Sequence, residues 1–349
     1  MQHNVDVLVI GAGQAGLAMG YYLKQKNILF AIVGKEDRIG DVWRNRYDSL
    51  VLFTPRWFSS LPGMALMGDQ NGYPTKDEIA DYLEDYAQKY ELPVHLNTEV
   101  ISLYKENGTF KVTTNNGNYV AEKVVVATGP FQKPYIPPFA DSLSDKVYQV
   151  HTSRYLNPSQ LQEGSVLVVG AGNSGAQIAV ELSKNREVYL SVGHKMKFFP
   201  LEIMGKSIFW WFKKLGLLNI NINSPLGQFI SKQSDPIFGK ELKHLIKEGK
   251  IKIKPRTESI SGDVISFADN SQIQVQNVIW ATGFYSDYSW IQIPNVLDHR
   301  GRPLHQRGVT SVKGLYFLGL PWQYRRGSAL IGGVGDDAEY LINDILKIK

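Results

Sequence analysis

The chain of 349 residues contains no cysteine. That absence excludes structural disulfides, thiolate-ligated metal sites and, above all, a redox-active dithiol. A large excess of charge of one sign is also lacking. The formal net charge is only +5 and the lysines are spread along the chain, so nucleic acid is not an expected partner, and attraction of anionic cofactors is reason enough for the balance. No uninterrupted apolar run reaches the roughly 18 residues of a membrane span. No charged-then-apolar leader precedes the first strand, and a soluble cytoplasmic protein with no integral membrane segment is expected.

Glycine, by contrast, is placed with purpose. The stretch VDVLVIGAGQAGLAMG (Val5–Gly20) is a short apolar run of strand type, then GxGxxG, then a helical pattern. In a dinucleotide site Gly11 allows the tight turn, Gly13 admits the pyrophosphate to the backbone, and Gly16 lets helix and strand pack closely. The phosphates then meet the unpaired N–H groups and positive dipole end of the helix. A second strand is expected over Ile28–Val33. The carboxylate that would hold a ribose at its end is missing, for Gly34 stands there, and Glu36 is the nearest candidate.

Further along, Ile39–Met64 is dense in aromatics, arginine and glycine, as loops that line a site are, although Trp43, Tyr47 and Trp57 serve equally well as core aromatics. A helix begins after Thr75, which caps it with Glu78 three residues on. Glu99–Tyr104, Thr109–Thr114 and Tyr119–Val126 predict an antiparallel set with turns at Asn107-Gly108 and Asn116-Gly117. It runs into VVVATGP, which brings Thr128 and Gly129 to the carboxyl edge of a sheet. Pro134, Pro137 and Pro138 then break regular structure, and the segment to Asn157 reads as a linker.

The second half repeats the scheme. VLVVGAGNSGAQIAVEL (Val166–Leu182) carries Gly170, Gly172 and Gly175 in the same spacing, and VIWATGF (Val278–Phe284) repeats the ATG strand with Thr282 and Gly283. Two such coincidences point to two dinucleotide-binding domains. The fold class is α/β, with two Rossmann-like domains. The final strand (Leu315–Leu318) and a helix from near Asp336 return to the first sheet, giving residues 1–157 and 285–349 to one domain and 158–284 to the other, inserted one. Between them IFWWFKKL (Ile208–Leu215) reads as a core-packing or dimer-contact helix rather than a membrane-surface one, and a homodimer is an open expectation.

The succession GAGQAG, IGDVWR, RYDSLVLFTP, LPGM, YPTKDEIADYL, VVVATGPF, GAGNSG, VIWATGF and GLYFLGLPW resembles the short bacterial flavin-containing monooxygenases, relatives of the plant auxin-forming and Baeyer-Villiger monooxygenases, from about Val5 to Ile345. The resemblance implies FAD on the first loop and NADPH or NADH on the second. By motif, Gly11, Gly13, Ala15 and Gly16 would hold the FAD pyrophosphate, Trp43 would lie near the flavin, Val100 would meet the adenine, and Thr128 and Gly129 would close the site. Gly170, Gly172, Asn173, Ser174 and Gly175 would hold the nicotinamide cofactor. The implied chemistry is hydride transfer to FAD, formation of a C4a-(hydro)peroxyflavin with O₂, and oxygenation of a small sulfide, amine or ketone. No catalytic side chain is assigned.

Departures from the family pattern bear on this. His151 and Tyr155 fit the fingerprint ahead of the second domain, but Asp145 and Val147 stand where Phe and Gly are expected, so His151 reads as a coupling residue rather than an acid or base. Where NADPH-specific members carry an arginine, this chain has Gly193, followed by His194 and Lys195, which predicts weak or mixed cofactor preference. The alternative function is an NAD(P)H oxidase or flavin reductase that releases hydrogen peroxide. Disulfide reduction, the other common use of this plan, is excluded by the missing cysteines.

Overall fold

The computed structural model describes residues 2–347. Strand β1 (Gln2–Ile10), helix α1 (Gln14–Gln25) and strand β2 (Phe30–Val33) form a parallel βαβ unit. The half of β1 next to the glycine loop is buried on both faces, which is why Val7–Ile10 reads as an unbroken apolar run. A short helix α2 (Asp41–Arg44) follows, then α3 (Lys76–Lys89), which starts with the expected Thr75–Glu78 capping box. After β3 (Val94–His95), strands β4 (Val100–Glu106), β5 (Thr109–Thr114) and β6 (Gly117–Val126) make the expected antiparallel meander. Its second turn is Asn115-Asn116, one position before the expected pair, and Gly117 at positive φ is the first residue of β6.

The chain leaves this sheet through β7 (Lys133–Pro134) and builds a second one from β8 (Tyr148–His151), β9 (Val166–Val169), helix α4 (Asn173–Leu182) and β10 (Val188–Ser191). An excursion follows, with paired strands β11 (Phe198–Phe199) and β14 (Ile237–Phe238), the hairpin β12 (Glu202–Ile203) and β13 (Lys206–Ser207), and helices α5 (Ile208–Lys214), α6 (Pro225–Ser231) and α7 (Glu241–Lys247). Then come β15 (Ile251–Lys254), the meander β16 (Thr257–Ser261), β17 (Val264–Phe267) and β18 (Gln272–Gln274), and β19 (Asn277–Trp280). The second sheet is wholly parallel in the order β15-β10-β9-β19-β8. Its edge strand Tyr148–His151 lies in a stretch that the prolines made look like pure linker. The linker character ends earlier, because Val150 and His151 bury themselves beside β19.

Strand β20 (Phe284–Tyr285) pairs antiparallel with β7, so the two crossings between the domains are bonded to each other. Strand β21 (Leu315–Phe317) then joins β6 in the first sheet, whose remaining order is β3-β2-β1-β6-β5-β4. Helix α8 (Ile331–Lys347) packs on α1 through Val334, Ala338, Leu341 and Ile345. It begins at Ile331 rather than near Asp336. Gly332 and Gly335 are inside the helix, where a side chain on Gly332 would overlap the Phe58 carbonyl and one on Gly335 would stand 2.6 Å from Pro62. In α5, Ile208 and Phe209 are buried against Phe58 and Leu218, so one face of this helix is core. Among the described residues no helix is long and apolar enough to cross a membrane.

Candidate functional site

The two glycine loops are closed by the same contacts. The Gly11 N–H donates to the Val33 carbonyl at 2.8 Å and the Gly170 N–H to that of Ser191 at 3.0 Å. Both glycines have left-handed φ, +116° and +106°. A Cβ on Gly11 would press on the Ala127 carbonyl and one on Gly170 on that of Ala281, the alanine of each ATG segment. Side chains on Gly16 and Gly175 would overlap the carbonyls of Gly11 and Gly170. Gly13 and Gly172 differ from these four. Each is a helix N-cap with no side-chain cap, and nothing lies within 4 Å of a Cβ built on it. The unpaired N–H groups of α1 and α4 thus face open space, the arrangement that receives a phosphate.

Around the first loop two buried polar atoms have no partner, Glu36 Oε2 and Trp43 Nε1. A Cβ on Gly34 would meet Ala12 at 2.7 Å and Glu36 Oε2 at 2.9 Å, so the carboxylate is folded back against the loop, and Gly34 leaves room for it. Ala12, Gly13, Glu36, Arg38 and Gly40 line one small cavity. Val100 comes alongside because Thr98 and Asn97 donate to the carbonyls of Gly34 and Glu36 at 2.8 and 3.0 Å. A buried orphan carboxylate oxygen costs free energy unless a donor reaches it. These residues therefore suit a dinucleotide with a ribose at Glu36. Ala15 is buried in α1, where it packs on Gly319. Thr128 and Gly129 are held by Gln132, whose amide donates to Thr128 Oγ1 at 3.0 Å and to the Gly129 carbonyl at 2.9 Å. Gln132 was not visible as a site residue in the sequence.

At the second loop Asn173 Oδ1 accepts from the Phe238 N–H at 3.0 Å, and its amide donates to the Pro236 carbonyl, so this side chain anchors the excursion to α4. Ser174 faces Tyr47, a residue of the first domain whose hydroxyl bonds Gln177 at 3.0 Å and whose pKa burial pushes up to about 12. His194 and Lys195 are exposed just beyond β10. The Thr282 hydroxyl donates to the Tyr135 carbonyl, and the Gly283 carbonyl accepts from the Tyr135 N–H at 2.9 Å and from His151 Nε2 at 3.0 Å. His151 thus ties the end of β8 to the start of the return crossing.

The two ATG loops converge. Phe131, just after the first, and Phe284, just after the second, have ring centroids 5.4 Å apart. Arg46 lays its guanidinium 5.4 and 5.1 Å from these rings, and burial lowers its pKa. These contacts bring the segments that follow the two cradles' ATG strands to one junction. Electrons passing between the cradles could not be relayed by a thiol, since the chain has none.

A family model for pyridine nucleotide-disulphide oxidoreductases matches residues 8–198. An uncharacterized CzcO-like oxidoreductase from Geobacillus kaustophilus is 93% identical over 347 residues, covering 99% of this chain and 100% of its own. An uncharacterized CzcO oxidoreductase of Bacillus subtilis is 53% identical, over 97% of this chain and 99% of its own. Among solved structures, a flavin-containing monooxygenase from Stenotrophomonas maltophilia superposes with a TM-score of 0.82 at 26% identity, covering 99% of each chain.

Proposed function

The chain belongs to the pyridine nucleotide-disulphide oxidoreductase family, and from that premise we propose an FAD-dependent, NAD(P)H-consuming monooxygenase acting on a small sulfide, amine or ketone. The observation that carries this reading is the pair of matched open cradles in a chain without cysteine, which leaves a flavin and a nicotinamide but no dithiol to receive electrons. Similarity to the bacterial flavin-containing monooxygenase over the full length of both chains supports it.

In this reading FAD lies on the first loop and supplies hydride uptake, reaction with O₂ and delivery of one oxygen atom. The Gly13 opening admits its pyrophosphate, Glu36 accepts from its ribose, and the Trp43 indole N–H gains the acceptor it lacks. Val100 would meet its adenine, and Thr128 and Gly129 would close the site. NAD(P)H lies on the second loop at the Gly172 opening, with Ser174 and the first-domain residue Tyr47 beside it.

Turnover under ¹⁸O₂ with a panel of sulfides, amines and ketones tests this. Label in a product is expected. Consumption of NAD(P)H with hydrogen peroxide formed and no label in any product would overturn it in favour of an oxidase.

A further inference from the structure

The end of β10 is where a dinucleotide domain chooses between a free ribose and a phosphorylated one. A carboxylate there accepts from the 2′-hydroxyl of NAD, and an arginine nearby accommodates the 2′-phosphate of NADP. From Val188 to Leu201 the chain has no carboxylate, and the position expected to carry arginine is Gly193. Read locally, this left the preference mixed.

The fold supplies the missing group from elsewhere. Arg256, in the corner between β15 and β16, lays its guanidinium over Gly193. Its Nη2 donates to the Gly193 carbonyl at 3.3 Å, and a Cβ on Gly193 would stand 3.2 Å from Nε. The corner is clamped on both sides of Arg256. The buried Ser191 hydroxyl donates to the Pro255 carbonyl at 2.9 Å and accepts from the Thr257 N–H at 3.1 Å, and the Arg256 carbonyl accepts from Ala268 at 2.9 Å. The last residue of β10 thus fixes the backbone that carries the guanidinium. The lack of a side chain at Gly193 lets it lie across the strand end. Among the described residues no carboxylate pairs with Arg256, and exposed His194 and Lys195 add donors beside it.

We infer that Arg256 is the residue that selects NADPH over NADH, by presenting its fork of donors to the 2′-phosphate. This rests on the reading that the second cradle holds NAD(P)H. It replaces the mixed preference that Gly193 alone implied.

Calorimetric titration of the FAD-loaded protein with NADP⁺ and with NAD⁺ tests the assignment without turnover. Wild type is expected to bind NADP⁺ at least about tenfold more tightly. Arg256→Gln should weaken NADP⁺ by about tenfold or more and leave NAD⁺ within about twofold, and Arg256→Lys should fall between, having charge but no fork. An unchanged NADP⁺ affinity in Arg256→Gln would overturn the assignment, and so would equal loss of both nucleotides, which marks a structural role. An unchanged melting temperature separates these outcomes from misfolding. If wild type binds neither nucleotide, the two-nucleotide reading itself fails and the assignment falls with it.

Discussion

His151 and Gly283 join the second sheet to the return crossing, with the imidazole Nε2–H donating to the Gly283 carbonyl at 3.0 Å. The Ser153 N–H donates to Nδ1 at 3.1 Å, which fixes the neutral tautomer. Burial holds the His151 pKa below its ordinary value, and the positive Arg46 adds to the effect. The unfolded chain therefore takes up a proton near pH 6.5 that the folded one resists. The stabilising contribution is fully present above that pH and is lost as pH falls toward the folded value. We expect the melting temperature to drop between pH 7.5 and 5.5, and His151→Gln to flatten part of the drop. The slope should not vanish, since burial also lowers His95 and His305. Equal slopes in variant and wild type would detach His151 from it.

Glu36 Oε2 is buried without a partner beside the first glycine loop. A donor reaching it from a bound ribose would make a charge-assisted hydrogen bond of about 1.5 to 3 kcal/mol. Glu36→Ala is therefore expected to weaken FAD retention by about tenfold or more, measured by flavin release on dilution. Retention equal to wild type would place the ribose contact elsewhere.

Gly16 and Gly175 occupy equivalent places in their loops, and at each a Cβ would overlap a backbone carbonyl of the same loop. Backbone cannot yield as a flexible side chain can, so either substitution by Ala must open the turn. The consequences should be separable. Gly16→Ala should yield protein lacking flavin, whereas Gly175→Ala should remain yellow and fail to bind NADP⁺. Loss of flavin from both variants would mean that the loops do not serve separate ligands.

What could be read from the sequence was local. The glycine loops, the ATG strands, the Thr75 cap and the meander are each specified by residues within a few positions of one another, and they are found where their spacing puts them. Two misreadings came from residues that carry two meanings. The prolines after Gly129 end one domain only a short way before β8, and the glycines near 332 are packing contacts for Phe58 and Pro62 within a helix that starts at Ile331 rather than near Asp336. The remaining features are contacts between distant segments. Arg256 reaches Gly193, Gln132 reaches Asp287, and Arg46 lies between two phenylalanines from different crossings. No periodicity or motif encodes such pairs, because they arise only when the sheets are assembled.

Asp337 shows how such a contact can govern the first cradle from outside it. Its side chain is fully buried in α8, with Oδ1 accepting from Arg307 Nε at 3.2 Å and Oδ2 without a partner. Arg307 is in turn enclosed by aromatic rings, its guanidinium carbon lying 4.0 Å from the centroid of Tyr324 and 4.2 Å from that of Tyr340. Removing one member strands the other, and breaking a buried pair in this way costs about 3 to 5 kcal/mol. Arg307 retains some solvent access, so the lower end applies to Asp337→Ala. Arg307→Ala should cost more, because it strands the fully buried Asp337 carboxylate, and the double variant should be less destabilised than the sum of the two, as denaturant unfolding in a double-mutant cycle would show. Because α8 packs on α1, whose first turn forms the first cradle, Asp337→Ala should also speed flavin release. Strict additivity would show that the two side chains act independently, and stability near wild type in Asp337→Ala would show that the buried carboxylate is not held by this pair.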